Sequence, residues 1–268
     1  MQMRTREELR TQCADLGLVP GDAVMLHVSL RALGPVLGGP DTFIDGVMDA
    51  VGPQGTLLVY IGCEAPYDDI GRGRYDAAEE ALFRRCLPPF DYRTARPCRD
   101  FGAFAEIFRT HPGVICSSNP GARIAAVGGA AIEMMRDHPL DFGYGTNSPF
   151  ERLCLAGGKV MLVGSDPDNV SILHYAEAIA PIQKKRTVKI ETALLVDGKR
   201  QWVTYEETDT ANGIQDWPAN RFFAGIVDAY ARSADQRTGI LGGATTRVLD
   251  ARGLVEFAIP IMVAEAGR

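Results

Sequence analysis

Apolar residues in the first quarter of the chain alternate between helical and strand spacing. Residues 4–16 place apolar side chains three and four apart, which predicts an amphipathic helix. Residues 23–27 are almost continuously apolar and predict a buried strand, and residues 56–61 predict a second one. Between the strands the helical spacing returns up to about Val51, with Asp41 as the expected N-cap. This succession of elements is typical of an α/β layer.

The same two periodicities recur along the rest of the chain. The segment 62–100 carries scattered Pro, Gly and charged residues and is expected to lie outside the core, where such segments often build sites. Asp197-Gly198 lies between two strand-like stretches and is a strong hairpin signal. The further predicted elements are helices at 77–86, 101–110, 130–137, 170–180 and 219–233, and strands at 124–127, 159–163, 187–196 and 200–205.

Length and composition agree with one α/β unit. The chain has 268 residues, 46% of them hydrophobic, which is enough for a large core. We therefore predict a single compact domain over residues 1–268, with a central mixed β-sheet flanked by helices. No apolar run approaches the roughly 20 residues that span a bilayer, and the first residues are too polar for a signal peptide. We expect a cytoplasmic protein without a membrane partner.

Net charge and the spacing of the cysteines limit the classes of ligand and partner that we expect this chain to bind. The net charge of −6 disfavours nucleic acid and permits a cationic small molecule. The six cysteines are widely spread without metal-ligand spacing, so free and mostly buried thiols are expected. His174 and Glu177 could chelate an ion together, but no second cluster of ligands accompanies them, and we expect no metal.

One predicted helix carries three side chains suited to catalysis. Ser171, His174 and Glu177 are each three residues apart and lie along one helix face. A histidine of near-neutral pKa can take the proton of an amine while a carboxylate fixes its tautomer, and a hydroxyl can hydrogen-bond a thioester or its oxyanion. The same spacing also fits a half-buried histidine with a surface carboxylate, and this alternative stays open.

A glycine-rich loop follows the first strand. Residues 29–39 connect that strand to a helix, where backbone amides can accept a phosphate, and Arg31 adds positive charge. The loop is neither a Walker loop nor GxGxxG, which disfavours nucleoside triphosphates and dinucleotides. A simple strand-to-helix turn that needs glycine explains the local sequence equally well.

Two segments are acidic without any Lys or Arg. They are residues 64–69 and residues 206–216, and both fall in irregular or loop regions. Several carboxylates around one ligand suit a molecule with several ammonium groups, although each segment could equally be a solvated loop. Gly71-Arg72-Gly73-Arg74 lies nearby and is predicted to be a flexible turn.

Four ordered motifs resemble one enzyme family. They read HVSLRALGPVLGGP at 27–40, SSNPGARIAAVG at 117–128, GYGTNSPFERL at 143–153 and SILHYAEAIA at 171–180. Together they resemble the aminoglycoside 3-N-acetyltransferase family, over nearly the whole chain. The resemblance implies an α/β fold distinct from the common GNAT acetyltransferases. It also implies acetyl-coenzyme A as donor and attack by the 3-amino group of the 2-deoxystreptamine ring of an aminoglycoside, a polycationic substrate.

The resemblance also assigns roles to residues of this chain. His174 would be the catalytic base, with Glu177 beside it and Ser171 keeping a hydroxyl where many members have Thr. Coenzyme A would be held by Ser29, Leu30, Arg31, Ala32, Leu33, Gly34, Val36, Ser118, Ser148 and Phe150. The ammonium groups would meet Asp69, Glu177, Asp209 and Asp216.

One departure and several alternatives remain. Where many members have Ser-Ala-His-Pro, this chain has Ser118-Asn119-Pro120, and an asparagine cannot act as a base. Direct transfer without a covalent acetyl-enzyme is expected, because no cysteine lies in the motifs. An acetyltransferase of the same fold acting on another amine, a coenzyme A binding protein without catalysis, and a hydrolase using Ser171 with His174 stay open. A homo-oligomer is compatible with the sequence.

Overall fold

A seven-stranded sheet organises the part of the chain that the structure describes. The structure is a computed structural model and describes residues 3–217, 221–233 and 236–267. The strands of this sheet are β1 (Ala23–Val28), β2 (Thr56–Tyr60), β3 (Ile115–Cys116), β4 (Ile124–Gly128), β5 (Lys159–Val163), β8 (Arg237–Leu241) and β9 (Ala244–Asp250). A separate hairpin is formed by β6 (Thr187–Val196) and β7 (Lys199–Thr208).

The sheet is mixed, with β1 at its centre. The strand order is β3-β4-β2-β1-β5-β9-β8. β1 runs parallel to β2 and to β5, whereas β4, β3, β9 and β8 pair antiparallel with their neighbours. The predicted mixed α/β architecture is therefore confirmed. β2 and β5 flank β1 on opposite sides and run in the same direction, so the carboxyl ends of all three strands lie at one edge of the sheet. Ligands of α/β sheets bind at this edge.

Helices cover both faces of the sheet. They are α1 (Arg6–Asp15), α2 (Leu30–Leu33), α3 (Pro40–Val51), α5 (Ala103–Thr110), α6 (Ala131–Met135), α7 (Pro149–Leu155), α8 (Ile172–Ile179), α9 (Phe222–Ser233) and α10 (Ala251–Ala266). A further helix, α4 (Ala77–Cys86), contacts the hairpin instead, where Arg84 pairs with Glu191. α1, α3 and α5 pack with Val24 and Leu26 of β1, while α6 to α10 pack with Ala23 and Met25. Successive side chains of a strand point to opposite faces, so one apolar run supplies both cores.

Most predicted elements are present with small shifts in their ends. The helix predicted from Asp41 begins at Pro40 instead, because proline suits the first helical position and Gly39, with φ 84°, occupies the cap. The residues 29–39, predicted as a loop, contain the short helix α2. The predicted start of the helix at 219 lies outside the described residues, and α9 is described from Phe222.

The sequence prediction missed several elements near the end of the chain. β8, β9 and α10 were not predicted, nor were α7 and the two-residue strand β3. β8 is mostly exposed, and the buried residues of β9 are interrupted by Thr245, Arg247 and Asp250, so neither shows a long apolar run. α10 contains Pro260, which argues against a helix in a local pattern even though the helix continues through it.

The segment 62–100 folds back over the hairpin, as its irregular composition suggested. The amide of Phe90 donates to the carbonyl of Ala193, and the amide of Glu191 donates to the carbonyl of Ile70. Ile70, Leu87 and Ala193 form a small core of their own. This packing brings the segment and the end of β7 to the open edge of the sheet.

One glycine permits a close approach at that edge. Gly164 directly follows β5 and has φ +58°, a conformation that L side chains rarely adopt. A Cβ atom placed there would lie 2.3 Å from the Cβ of Ala32 in α2. Glycine is therefore required for α2 to pack against the end of β5.

No helix within the three described ranges is long and apolar enough to cross a membrane.

Candidate active site

A cavity of about 680 Å³ opens at the carboxyl ends of the three parallel strands. Its floor comes from the ends of β1, β2 and β5, and its walls come from the segment 62–100, from α8 and from the residues after β7. Its lining includes the side chains of Ser29, Tyr60, Cys63, Asp68, Asp69, Arg72, Cys98, Tyr144, Ser171, His174, Thr210 and Ala211. Since ligands of α/β sheets bind outside the carboxyl ends of the strands, this cavity is the candidate active site.

The predicted base and carboxylate meet in one wall of the cavity. His174 Nδ1 lies 2.7 Å from Glu177 Oε2. The histidine side chain is 26% exposed and lines the cavity, whereas the Glu177 side chain is only 2% exposed and lies behind it. An ionised carboxylate can only accept, so Nδ1 carries the proton and Nε2 is left as the basic nitrogen. Glu177 itself does not line the cavity. Its predicted direct contact with the substrate therefore has no geometric support and stays a prediction.

A second donor holds the other oxygen of Glu177. The indole Nε1–H of Trp217 donates to Glu177 Oε1 at 2.8 Å. Each oxygen of the buried carboxylate therefore has one partner, which satisfies the group without exposing it to water. Sequence analysis missed Trp217, which lies 40 residues from Glu177.

Aromatic rings fix the position of the imidazole. The His174 ring lies 5.2 Å from the ring of Tyr144 and 5.0 Å from that of Phe223, between centroids. The hydroxyl of Tyr144 is 2.5 Å from the hydroxyl of Tyr60, which donates to the carbonyl of Gly121 at 2.8 Å. Burial raises the pKa of both phenols, so they stay neutral and act as hydrogen-bonding groups.

Ser171 occupies the position that helix spacing predicted. It is the residue before α8 and lines the same cavity one turn ahead of His174. Ser171, His174 and the cavity are thus brought together, and the role of the hydroxyl stays a prediction.

The acidic side of the cavity contains a buried arginine. The Arg72 side chain is 4% exposed and pairs with Asp68 at 3.4 Å and with Asp209 at 3.6 Å. The predicted turn is present at residues 71–73, but Arg72 is not flexible in it, because Asp68 from the same segment and Asp209 from beyond β7 enclose its guanidinium. The Tyr205 hydroxyl also donates to Asp68, at 2.8 Å. Burial raises the pKa of Asp68, and Arg72 opposes that rise.

The predicted acidic residues divide between the cavity and the surface. Asp69 lines the cavity and pairs with Arg74 at 3.2 Å. Asp209 lies behind Arg72 and accepts from Asn212 at 2.9 Å. Asp216 is 98% exposed, pairs with Arg186 and does not line the cavity. The structure therefore brings Asp69 to the site, holds Asp209 at its edge and leaves Asp216 outside.

The loop predicted to hold coenzyme A reaches the cavity through Ser29. Its hydroxyl accepts from the amide of Ala32 at 3.3 Å and caps α2. The amides of Leu33 and Gly34 are bonded within the same turn, to Ser29 and Leu30. Arg31 is exposed, and Val36 pairs with Arg4. Most of the loop's amides are thus already used, and direct phosphate binding by this loop stays a prediction.

The remaining predicted coenzyme A residues lie away from the cavity. Ser148 is buried and caps α7 by accepting from the amide of Glu151 at 3.2 Å, and Phe150 is fully buried in the core. Ser118 lines a different cavity of about 650 Å³ beside β3. The candidate active-site cavity therefore does not bring these three side chains together with His174, and their predicted contact with coenzyme A stays a prediction.

Asn119 has a structural role where relatives with the resembling motif carry histidine. Its side-chain Nδ2 donates to the carbonyls of Pro139 and Leu140 at 2.8 and 3.0 Å, and its Oδ1 accepts from the amide of Ala122 at 2.8 Å. His138, beside this loop, is also buried, between the Ser117 hydroxyl and the Gly143 carbonyl. Burial lowers its pKa to about 4, so it is neutral at pH 7.

Two thiols line the cavity although the cysteines lie outside the motifs. Cys63 and Cys98 come from the irregular segment, and burial raises the pKa of both. A thiol with a raised pKa is a poor nucleophile. All six cysteines are free, with Cys13, Cys63 and Cys154 buried and Cys86 exposed. Across the described ranges, no three His, Cys, Asp or Glu side chains group closely enough to hold a metal ion.

Several known proteins resemble this chain in fold and in sequence over nearly their whole length. The structure of AAC-IIIb in binary complex with CoASH superposes with a TM-score of 0.91 at 40% identity and covers 97% of both chains. The sisomicin-bound structure of AAC-VIa gives a TM-score of 0.90 at 38% identity, covering 98% of this chain and 99% of that one. Aminoglycoside N(3)-acetyltransferase III of Pseudomonas aeruginosa is 36% identical over 244 residues, which is 91% of this chain and 88% of the relative.

The family profile extends across the site just described. The profile of the aminoglycoside 3-N-acetyltransferases matches residues 25–263 and so includes the strands, α8 and the walls of the cavity. With this match and relatives of similar length, the chain belongs to the aminoglycoside 3-N-acetyltransferase family.

Proposed function

We propose that this chain transfers the acetyl group of acetyl-coenzyme A to the 3-amino group of the 2-deoxystreptamine ring of an aminoglycoside antibiotic and so confers resistance. The His174–Glu177 pair in the cavity wall is the observation that carries the proposal. The relatives that bind CoASH and sisomicin support these two substrate classes. The cytoplasm, where acetyl-coenzyme A is available, is the proposed location.

His174 supplies the base. Its Nδ1–H bond to Glu177 leaves Nε2 free to remove a proton from the substrate ammonium group. The amine nitrogen then forms a bond to the thioester carbon, the carbon–sulfur bond breaks, and the nitrogen loses its second proton to solvent as the amide forms. The proton held on Nε2 can pass to the departing thiolate, which returns His174 to its starting state. Both residues come from one chain, so the base does not depend on a second copy.

The negative side of the cavity suits a substrate with several ammonium groups. Asp68 and Asp69 line the same cavity as His174, in a chain of net charge −6. Carboxylates near a cationic ligand raise its affinity and steer its approach.

Direct transfer is favoured over an acetyl-cysteine route. Burial disfavours the thiolate forms of Cys63 and Cys98, which a covalent route would need. In the proposed reaction the Ser171 hydroxyl donates to the thioester oxygen as negative charge develops on it. Its place beside His174 in the cavity wall supports that role.

Thiol release from acetyl-coenzyme A tests the proposal, with gentamicin or sisomicin as acceptor. Release should require the antibiotic and should fall by roughly 10²- to 10⁴-fold in His174→Ala, the usual effect of removing a positioned base. His111→Ala is the matched control, because His111 pairs with Asp45 outside the cavity. Absence of release with aminoglycosides, together with release on another amine, would instead identify an acetyltransferase with a different acceptor.

A further inference from the structure

Glu177 is held from both sides by donors that approach along different directions. Trp217 Nε1–H reaches Oε1 at 2.8 Å and His174 reaches Oε2 at 2.7 Å. The Glu177 residue is 1% exposed, so water cannot replace either donor. The nearby ammonium group of Lys185 bonds to the carbonyl of Ala178 at 2.6 Å. The tryptophan is thus the donor on the carboxylate oxygen that faces away from the base.

The indole itself is fixed by stacking. The Trp217 ring lies 4.5 Å from the ring of Phe222 between centroids, with an angle of 18° between the planes. Its backbone follows the stretch that contributes Thr210 and Ala211 to the cavity wall. Because an indole nitrogen only donates, it cannot pair with the NH₂ group of an amide turned the wrong way.

We propose that Trp217 is a positioning residue for the base. Its N–H holds the Glu177 carboxylate in the rotation that aims Oε2 at His174 Nδ1. The terminal torsion of a glutamate is broad, so two donors at fixed directions are needed to select one orientation. This role rests on the proposed function for its kinetic consequence, whereas the hydrogen bond can be tested without turnover.

Trp217→Phe keeps a ring for stacking on Phe222 and removes the donor. We expect kcat to fall about tenfold, since one charge-assisted hydrogen bond is lost, and KM for both substrates to change by less than about threefold. When Glu177 has already been replaced by alanine, Trp217→Phe should lower kcat by less than about twofold, because Trp217 acts through the Glu177 carboxylate. Trp202→Phe is the matched control, in the hairpin beside Arg84 and Arg200.

The two indole N–H signals in a proton NMR spectrum provide the second measurement. The chain has only two tryptophans, so the signal lost in Trp217→Phe assigns both. Glu177→Ala should move the Trp217 signal upfield and speed its exchange with solvent, and it should leave the Trp202 signal in place.

Three results would overturn the inference: wild-type kcat in Trp217→Phe, equal losses in both backgrounds, or a Trp217 signal unchanged by Glu177→Ala. If the wild type acetylates no aminoglycoside, the proposed function fails separately and the NMR result alone decides the inference.

Discussion

Replacing Glu177 with glutamine tests whether the carboxylate sets the tautomer of His174. The substitution keeps the shape of the side chain but exchanges one acceptor oxygen for an NH₂ group. In the native site two donors, from Trp217 and His174, meet the two oxygens. Glutamine offers only one carbonyl, and the indole can only donate, so the carbonyl should turn to Trp217. The NH₂ group then faces His174 Nδ1 and requires that nitrogen to be unprotonated.

The consequence is a base with its proton on the wrong nitrogen. With Nδ1 accepting from the amide, Nε2 carries the hydrogen and cannot remove a proton from the ammonium group. We expect kcat to fall by roughly 10²- to 10⁴-fold, the range for losing general-base catalysis. Glu177 is buried and does not line the cavity, so KM for the antibiotic should change by less than about threefold. Two charge-assisted hydrogen bonds become neutral ones at a buried site, which should lower the free energy of unfolding by about 1–3 kcal/mol.

Initial rates of thiol release give kcat and KM, and urea unfolding gives the stability. Glu151→Gln is a suitable control, because its carboxylate accepts from the amide of Asn147 at 2.7 Å outside the cavity. A Glu177→Gln enzyme with kcat within about threefold of the wild type would refute the tautomer argument. A large rise in KM with kcat unchanged would show instead that Glu177 binds the substrate.

Three further predictions follow from burial and charge. Asp69→Asn should raise KM for an aminoglycoside about three- to tenfold in steady-state assays at low salt. Asp216→Asn should leave KM unchanged, because Asp216 is exposed outside the cavity. Equal effects of the two substitutions would show that the substrate binds elsewhere. Burial lowers the pKa of His138 to about 4, so its neutral form adds stability that is complete above pH 6.5 and is lost between pH 6.5 and 4. Between pH 6.5 and 4, the free energy of unfolding measured in urea should change by roughly 3 kcal/mol less in His138→Gln than in the wild type. Parallel curves of this free energy against pH for the two proteins would contradict the prediction. Gly164→Ala should lower the free energy of unfolding by at least about 2 kcal/mol in the same measurement. Gly157→Ala should lower it by only about 1 kcal/mol, because Gly157 has φ +64° but open space where the Cβ atom would lie. Equal losses in the two variants would exclude the steric argument.

Local patterns predicted the core elements and the catalytic helix because their causes are local. Alternation and continuous apolar runs predicted β1, β2 and β5, and helical spacing placed His174 and Glu177 on one face, where the structure shows them in contact. Failures follow the same logic. β8 and β9 are half-exposed and α10 contains a proline, so their structure depends on pairing and packing that no short window shows.

The sequence placed the acidic groups less reliably than the catalytic pair. Asp69 and Asp216 both belong to acidic segments without Lys or Arg, yet of the two only Asp69 lines the cavity. Arg72 looked like part of a flexible turn, and it is buried between Asp68 and Asp209, 137 residues further along the chain. Charge along the chain does not reveal which charges the fold brings together.

The amino-acid sequence was enough to predict the α/β class, the family resemblance and the approach of Glu177 to His174, since periodicity and spacing of three along a helix are short-range properties. The packing of distant segments was needed to show that Trp217 completes the carboxylate's hydrogen bonds, that Arg72 is enclosed by acids, and that Phe150 lies in the core. These contacts join segments that are far apart in sequence. Their geometry follows from the meeting of three strand ends with two irregular segments, which is a property of the packed chain as a whole.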